Sequence, residues 1–310
     1  DFLHILEELS GRSMGEWARS GLQTSGPATL QATIDSSGAV TVHQESVDPN
    51  TGREVLRPHA LYVAVLELNE QEELISTAES DVLLAAGETS ARADQLNAPV
   101  DVPRAVIVNQ HDQTYAQVKF DDETLQAVTS YPIVDPESTA VATVWSTLWT
   151  MVRQASLPAS DFIRAVAKLS NSIEDVSMHA RVLEQSVEAL KEFAPTSQRN
   201  RLTKQLATAL LDALVQLEPG SDRQRSAARA FAQLGRGTET VAAELTFLLA
   251  ANEHSELSPG LEVDDEIKWS LLISLASLGR VDIVRLDEEL ALSHTATNEL
   301  RHRTAVAALP

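Results

Sequence analysis

Cysteine is absent from this 310-residue chain. Disulfides, thiolate metal sites and a cysteine nucleophile are therefore excluded, and the redox state of its compartment cannot be inferred. Apolar runs are also short, and none approaches the roughly 20 residues that a membrane-spanning helix needs. Basic residues are scarce, with 24 Lys and Arg against 45 Asp and Glu and a net charge of −21. Because such a chain repels phosphate backbones and anionic lipids, we expect neither nucleic acid nor a membrane as a partner.

Motifs of enzyme chemistry are missing as well. Zinc hydrolases place two histidines one helical turn apart, whereas none of the eight histidines here has another histidine four residues away. The segment His254-Ser255-Glu256 lacks the second histidine, and Glu299 with His302 is only half of a di-iron carboxylate motif. Gly235-Arg236-Gly237 follows a helical pattern instead of the strand that a dinucleotide fingerprint requires. We therefore assign no catalytic residue and no metal ligand, and we leave the substrate-binding residues unassigned.

Two further patterns resemble functional sites but have simpler explanations. Residues 11–15 match the G-x-S-x-G pattern of a nucleophile elbow, which would make Ser13 a hydrolase nucleophile. An elbow needs a preceding strand, and here a helix precedes it, so we expect Ser13 to cap a short helix together with Glu16. The acidic clusters at 70–73 and 264–266 could bind a metal, but they fall in a turn and in the first turn of a helix, where carboxylates are favourable. We interpret both clusters as solvated surface.

The hydrophobic period changes once along the chain, within residues 132–153. It is close to two before this stretch and close to 3.6 within and after it, which predicts strands followed by helices. Asp135 is expected as an N-cap and Pro136 as the first helical residue, with Trp145 and Trp149 as core anchors. The other face of this helix has hydroxyl groups but no charge, so we expect both faces to be covered.

The stretch at 28–120 contains about seven short strands separated by turns, which is typical of a small antiparallel β-sandwich. The two short helices before it have an apolar face with no evident partner in the β stretch. We therefore expect residues 1–25 to be the C-terminal helices of an upstream domain and residues 26–130 to be the sandwich. The absence of an initiator methionine also favours a piece of a longer protein.

Residues 131–310 are predicted to form antiparallel helix pairs of a HEAT- or armadillo-like repeat domain, with the last repeat left incomplete. An internal repeat supports this, because Ala230–Arg236 reappears as Ser274–Arg280, 44 residues further along. Gly235 and Gly279 are expected as helix C-caps in the two copies. The predicted fold is thus multidomain, all-β plus all-α.

Four stretches resemble bacterial, especially actinobacterial, members of the aminopeptidase N family of zinc aminopeptidases. These are Asp1–Gly11 with Trp17 and Gly26, Val106–Asn109 with Thr114–Asp121, Asp135 and Pro136 with Trp145, Trp149, Thr150 and Met151, and Lys268–Leu272 with Thr295–Thr297 and Ala305–Pro310. In order, they resemble the last helices of the catalytic domain, the end of the sandwich, and the opening and a late segment of the helical C-terminal domain. Gly21 and Lys268 depart from the family's pattern, in which relatives often have Trp and Arg.

The resemblance implies that the zinc-binding helix and the loop that holds the substrate amino terminus lie upstream of this chain. It also implies that zinc is the cofactor of the parent enzyme and not of this piece, that the helical domain limits the access of peptides to the zinc, and that the sandwich is a spacer. The implied partners are the upstream catalytic domain and peptide substrates, and the implied location is the cytoplasm. Two other functions stay open: a stand-alone scaffold that binds proteins on the concave face of its solenoid, and a carbohydrate-binding sandwich.

Overall fold

The structure, a computed structural model, describes residues 2–135, 139–250 and 258–310. Strands occur only before residue 135 in these ranges, and every regular element after it is helical. Contacts divide the chain into two compact units, Asp1–Met151 and Val152–Pro310. The expected order of a β region followed by an α region is confirmed. The predicted limits of 1–25, 26–130 and 131–310 remain a prediction.

Eight strands of the described part of the first unit form two four-stranded sheets. They are β1 (Ala28–Ile34), β2 (Ala39–Glu45), β3 (His59–Leu68), β4 (Leu74–Leu84), β5 (Ser90–Asn97), β6 (Arg104–Val108), β7 (Ala116–Lys119) and β8 (Ile133–Val134). The sheet orders are β5-β2-β1-β7 and β6-β3-β4-β8. Neighbours are antiparallel except for β1 with β7 and β4 with β8, which are parallel. The expectation of a purely antiparallel arrangement is wrong at these two pairs, because β7 and β8 join their sheets through long connections instead of hairpins.

Burial along the strands explains which of them the sequence could predict. Residues 63–66 of β3 are buried without interruption, as in a strand that is covered on both faces. By contrast, β5 buries only Ala93 and Leu96 among polar neighbours, so its sequence lacks the period of two that predicts a strand.

Helix α3 (Asp122–Ser130) was not expected within the β region. Its N-cap is Asp121, whose Oδ1 accepts a hydrogen bond from Thr124 N at 2.9 Å. The hydroxyl of Thr124 in turn accepts from Val106 N at 3.0 Å, which ties α3 to β6. Two acidic residues follow the cap in the first turn, so the sequence did contain an ordinary helix-start signal.

Helix α4 (Thr139–Arg153) contains the division between the two units. Trp145 and Trp149 are buried, as expected of core anchors. Between residues 139 and 152 only Ser146 is exposed, so the prediction that both faces are covered is confirmed. Asp135 Oδ2 accepts from Ala140 N at 2.8 Å at the start of the helix, while Pro136 lies outside the described residues.

The remaining helices of the described structure lie at the two ends of the chain. The first unit begins with α1 (Phe2–Ser10) and α2 (Gly15–Leu22). The second contains α5 (Ala159–Leu169), α6 (Val176–Glu188), α7 (Thr196–Gln216), α8 (Asp222–Leu234), α9 (Ala242–Leu249), α10 (Asp265–Ser277), α11 (Ile283–Leu292) and α12 (Ala296–Ala307). A π-helical turn at Ala189–Phe193 extends α6.

Packing in the second unit follows the order of the chain. Contacts join α5 to α7, α6 to α8, α8 to α10 and α10 to α12, and sequential neighbours also pack as α7 with α8, α9 with α10 and α11 with α12. Phe162, Phe231 and Trp269 are the largest fully buried side chains of this unit. The second unit therefore has a core that continues from one helix pair to the next.

Candidate interface at the N-terminal helices

A group of apolar side chains lies exposed on the two helices at the start of the described structure. Helix α1 has nine residues and buries none of them. Phe2, Ile5 and Leu9 recur at three- and four-residue spacing and are 65%, 53% and 82% exposed, and in α2 Trp17 and Leu22 are 41% and 61% exposed. Exposed apolar groups of this kind mark interaction surfaces. We call these five residues the N-terminal apolar surface.

The turn between α1 and α2 is held by a carboxylate of α1. Glu7 Oε1 accepts from Met14 N at 2.8 Å and from Ser13 Oγ at 3.5 Å. Met14 is the N-cap of α2 and makes no side-chain cap, so the prediction that Ser13 caps this helix is wrong. Glu7 accepts from the N–H of Met14 itself and does not cap α2 in its place, and the side chain of Glu16 lies outside the described structure. A helix precedes Ser13, so the strand that a nucleophile elbow requires is absent from the described residues here.

The end of α2 is fixed to the sheets by Arg57, which is buried. Its Nε donates to Ser20 O at 2.9 Å, and its Nη2 donates to Thr24 Oγ1 at 2.7 Å and to Ser25 O at 3.2 Å. Its Nη1 donates to Ser46 Oγ on the other side. One guanidinium thus joins the chain after α2 to the segment that follows β2.

Asp48 fixes the same connection with the opposite charge. Its Oδ2 accepts from Ser25 N at 3.0 Å, and its Oδ1 accepts from Asn50 N at 2.8 Å and from Thr51 N at 3.1 Å. These backbone N–H groups, first that of Ser25, hold the pKa of Asp48 below its usual value. Arg57 and Asp48 together fix the end of α2 to the first unit. Sequence analysis missed both residues, because single polar side chains in loops follow no period.

His59 and His111 contact different partners in the first unit. His59 Nδ1 lies 2.7 Å from Thr114 Oγ1, and His111 Nε2 lies 2.9 Å from Glu79 Oε1. No three His, Asp or Glu side chains of the described ranges form a group that could hold a metal ion. The donor set therefore does not fit zinc, and we assign no step through a metal to these residues. His254 and Glu256 lie outside the described residues.

Glu299 and His302, the half of a di-iron carboxylate motif, contact two different partners. His302 Nε2 lies 2.8 Å from Asp287 Oδ1, whereas Glu299 Oε1 lies 3.6 Å from His294 Nδ1. Glu299 and His302 therefore do not share a ligand position, and each belongs to a surface pair.

The acidic cluster at 264–266 has structural roles. Asp264 is the N-cap of α10, and Glu266 pairs with Arg229 at 3.2 Å. Asp265 Oδ2 accepts from Asn298 Nδ2 at 2.7 Å and from Ser293 Oγ at 2.9 Å. These side-chain hydrogen bonds hold the pKa of Asp265 below its usual value. The cluster at 70–73 lies in the turn between β3 and β4, as expected.

Comparison with known proteins identifies the family. Residues 105–310 match the family model described as the ERAP1-like C-terminal domain. This match covers more than half of the chain, which therefore belongs to that family. The whole chain is also similar to Aminopeptidase N of Streptomyces lividans, with 31% identity over 320 aligned positions that cover 100% of this chain and 36% of that protein. The resemblance to the C-terminal region of the aminopeptidase N family is confirmed.

The chain spans 36% of the length of this curated relative. Across the described ranges, no helix combines the length and the apolar character that crossing a membrane requires.

Proposed function

We propose that this chain is the non-catalytic C-terminal part of a zinc aminopeptidase that removes N-terminal residues from peptides. The observation that supports this proposal most directly is the similarity of the whole chain to Aminopeptidase N of Streptomyces lividans. In this proposal the zinc, its ligands and the catalytic groups belong to an upstream catalytic domain of the parent protein, which is cytoplasmic.

In this proposal the N-terminal apolar surface packs against the catalytic domain. Helix α1 has nine residues and no buried side chain, whereas isolated helices shorter than about 12–15 residues are marginal in water. A covering partner would supply the burial that α1 lacks. The Arg57 and Asp48 contacts would then fix the direction in which the first unit extends from that partner.

The helices of the second unit are proposed to form the HEAT-like domain that limits which peptides reach the zinc, while the two sheets form the sandwich that separates it from the catalytic domain. Consecutive packing of α5 to α12 supports a repeat architecture of this kind.

The parent protein and the 310-residue chain should be compared in an amino-acid anilide assay and by metal analysis. The parent is expected to turn over the anilide with one bound zinc, and the chain alone is expected to do neither. Turnover by the chain with stoichiometric zinc would overturn the proposal. A parent without activity or zinc would favour the stand-alone scaffold, which binds protein partners instead.

The interface can be tested by Leu9→Glu, because Leu9 is 82% exposed in this chain. The variant should leave the stability of the 310-residue chain unchanged and should lower the melting temperature of the parent protein. Glu8→Gln, at the neighbouring exposed position, is the matched control. An equal effect of Leu9→Glu on chain and parent would contradict an interface that exists only in the parent.

A further inference from the structure

Tyr115 leads from the loop after β6 into β7, and its side chain is 86% exposed. Among the exposed large apolar side chains of the described residues, it is the most exposed. Tyrosine is common among the anchor residues of protein interfaces, because its ring supplies apolar area and its hydroxyl a hydrogen bond. One exposed tyrosine is nevertheless ordinary, so its meaning depends on how its loop is held and on what lies beside it.

The loop that carries Tyr115 is held by hydrogen bonds. Asn109, at a φ of +60°, accepts through Oδ1 from Gln113 N at 3.0 Å and from Thr114 N at 3.2 Å, and its Nδ2 donates to Thr114 O at 3.0 Å. The hydroxyl of Thr114 lies 2.7 Å from Nδ1 of the buried His59. Because the residue before Tyr115 is fixed in this way, binding through the tyrosine ring would lose little backbone freedom.

Tyr115 lies at the end of the sheet β5-β2-β1-β7 at which α2 connects to β1. Strand β7 is parallel to β1, with Ala116 opposite Ala28, so Tyr115 precedes β7 just as the connection from α2 precedes β1. His59, whose ring contacts the loop, is two residues after Arg57, the guanidinium that fixes the end of α2. Tyr115 and the N-terminal apolar surface are therefore joined to the same end of this sheet.

Val47 lies at the same end, on the other side of β1. Strand β2 is antiparallel to β1, and its last residue, Glu45, pairs with Thr29 at the start of β1. Val47 follows two residues later and is 60% exposed. In the order β2-β1-β7, Val47 and Tyr115 thus flank the connection from α2. Exposed apolar groups on both sides of this connection extend the region available for a partner from the helices onto the sheet.

An upstream domain in the parent protein would connect to this chain through α1, which is joined through α2 to this end of the sheet. Tethering would hold such a domain beside all these exposed side chains at a high effective concentration, which a separate protein does not have. We propose that Tyr115 and Val47 are further anchors for the upstream catalytic domain, whose contact extends from the N-terminal apolar surface onto the sheet. This inference rests on the proposed function, and it makes the sheets a docking element for the catalytic domain in addition to a spacer.

Hydroxyl-radical labelling with mass spectrometry should compare Tyr115 in the 310-residue chain and in the parent protein, whose anilide turnover and zinc content are measured on the same preparation. Tyr131 is the reference, since it lies near the start of β4, whereas the end of β4 pairs with His59. Relative to Tyr131, Tyr115 is expected to react at least about fivefold more slowly in the parent, because an anchor in an interface core loses its solvent exposure.

Equal reactivity of Tyr115 in the chain and in a parent that turns over the anilide with bound zinc would overturn this inference and leave the proposed function standing. A parent without turnover or zinc would overturn the proposed function, and with it the inference that rests on it.

Variants of exposed residues test the same contact by stability. Tyr115→Ala and Val47→Glu should leave the melting temperature of the 310-residue chain unchanged and should lower that of the parent by roughly 2 °C or more. Val102→Glu is the matched control and should change neither, because Val102 is 50% exposed and follows Ala98, which bonds to Gly38 at the opposite end of β1. An equal fall in the parent for Val102→Glu and Val47→Glu, or no fall for Tyr115→Ala, would contradict the assignment.

Discussion

The two copies of the internal repeat contain the same Leu-Gly-Arg ending, but their glycines are needed for different reasons. In the first copy, Ala230–Arg236, Gly235 is the C-cap of α8 and has an ordinary negative φ of −72°. A Cβ atom at this position would lie 2.3 Å from Leu245 Cδ1. Gly235 is required because a core leucine of the next helix occupies the space of a side chain.

In the second copy, Ser274–Arg280, the requirement is conformational. Gly279 follows the C-cap of α10 with a φ of +64°. Its N–H donates to Ala276 O at 2.9 Å, and Arg280 N donates to Leu275 O at 2.9 Å, which is the Schellman arrangement. The nearest atom to a Cβ here would be Pro310 Cγ at 3.4 Å, an ordinary contact. The same Leu-Gly-Arg ending thus requires its glycine for lack of space in the first copy and for a positive φ in the second.

The regions around the two copies also differ in how their polar side chains are satisfied. His179 of α6, which packs on α8, is fully buried, and neither ring nitrogen has a partner among the described residues. Burial, with the charge of Arg223, lowers the pKa of His179 to about 4. Asp265 of α10, by contrast, is bonded to Asn298 and Ser293. The region around the first copy is therefore the one that acid should destabilise at moderate pH.

The largest expected effect is the acid sensitivity of the region around His179. The pKa of the His179 imidazole is 6.5 in the unfolded chain and about 4 in the folded chain. Above pH 6.5 the group has no effect, and on acidification toward pH 4 the unfolded state binds more protons, so stability falls. The loss should be about 2 kcal/mol at pH 5 and approach about 3 kcal/mol below pH 4. Urea denaturation at pH 7 and pH 5, followed by circular dichroism, measures it.

The variant His179→Leu should abolish most of this difference between pH 7 and pH 5. The exposed His294→Leu is the matched control and should leave the difference in place. Hydrogen exchange should place the acid-induced opening in α6 and α8 before α10 and α12. Opening of α10 before α6 would contradict the expectation that acid destabilises the region around the first copy more.

Gly235→Ala is expected to have the second-largest effect, because it disrupts the packing of the first copy. Alanine has the better helix propensity by roughly 0.5–1 kcal/mol, but the new Cβ would lie 2.3 Å from Cδ1 of the fully buried Leu245, which has to shift within the core. Overpacking of this kind costs about 1–3 kcal/mol and should outweigh the gain. Denaturation of Gly235→Ala in a Leu245→Ala background tests the cause, since the cost should largely vanish once the overlapping methyl groups are removed. If Gly235→Ala costs as much in the Leu245→Ala background as in the unmodified chain, overlap with Leu245 is not the cause.

Gly279→Ala should have a smaller cost, of about 1–2 kcal/mol, from placing a Cβ in the left-handed region. Gly279→Asn should cost less than alanine there, because asparagine tolerates this conformation. At position 235 the order should reverse, since asparagine is larger than alanine and the limit is space. Denaturation midpoints of the four variants give this ranking, and the same order at both positions would show that the glycines are equivalent.

The sequence predicted those features that repeat with a regular period. The tryptophans of α4 recur at four-residue spacing, and their burial is confirmed. Strand β5 and the parallel partners of β1 and β4 depend on contacts between distant segments, which no local pattern encodes. The contacts of Arg57 depend on acceptors far away in sequence, so the connection between α2 and the sheets could be found only in the folded chain.

The smallest expected effect concerns the contact between the two copies themselves. Ser274 Oγ is fully buried and donates at 2.6 Å to Ala232 O, a carbonyl in the last turn of α8 that has no helical partner to bond. Ser274→Ala removes this donor and should cost about 1 kcal/mol in the free energy of unfolding. The matched control is Ser186→Ala, whose hydroxyl is equally buried but donates within its own helix, to Leu183 O at 2.6 Å. The corresponding residue of the first copy is Ala230, so a serine is needed only where one copy stacks on another. Equal costs for the two serine variants would show that burial of this hydrogen bond does not join the copies.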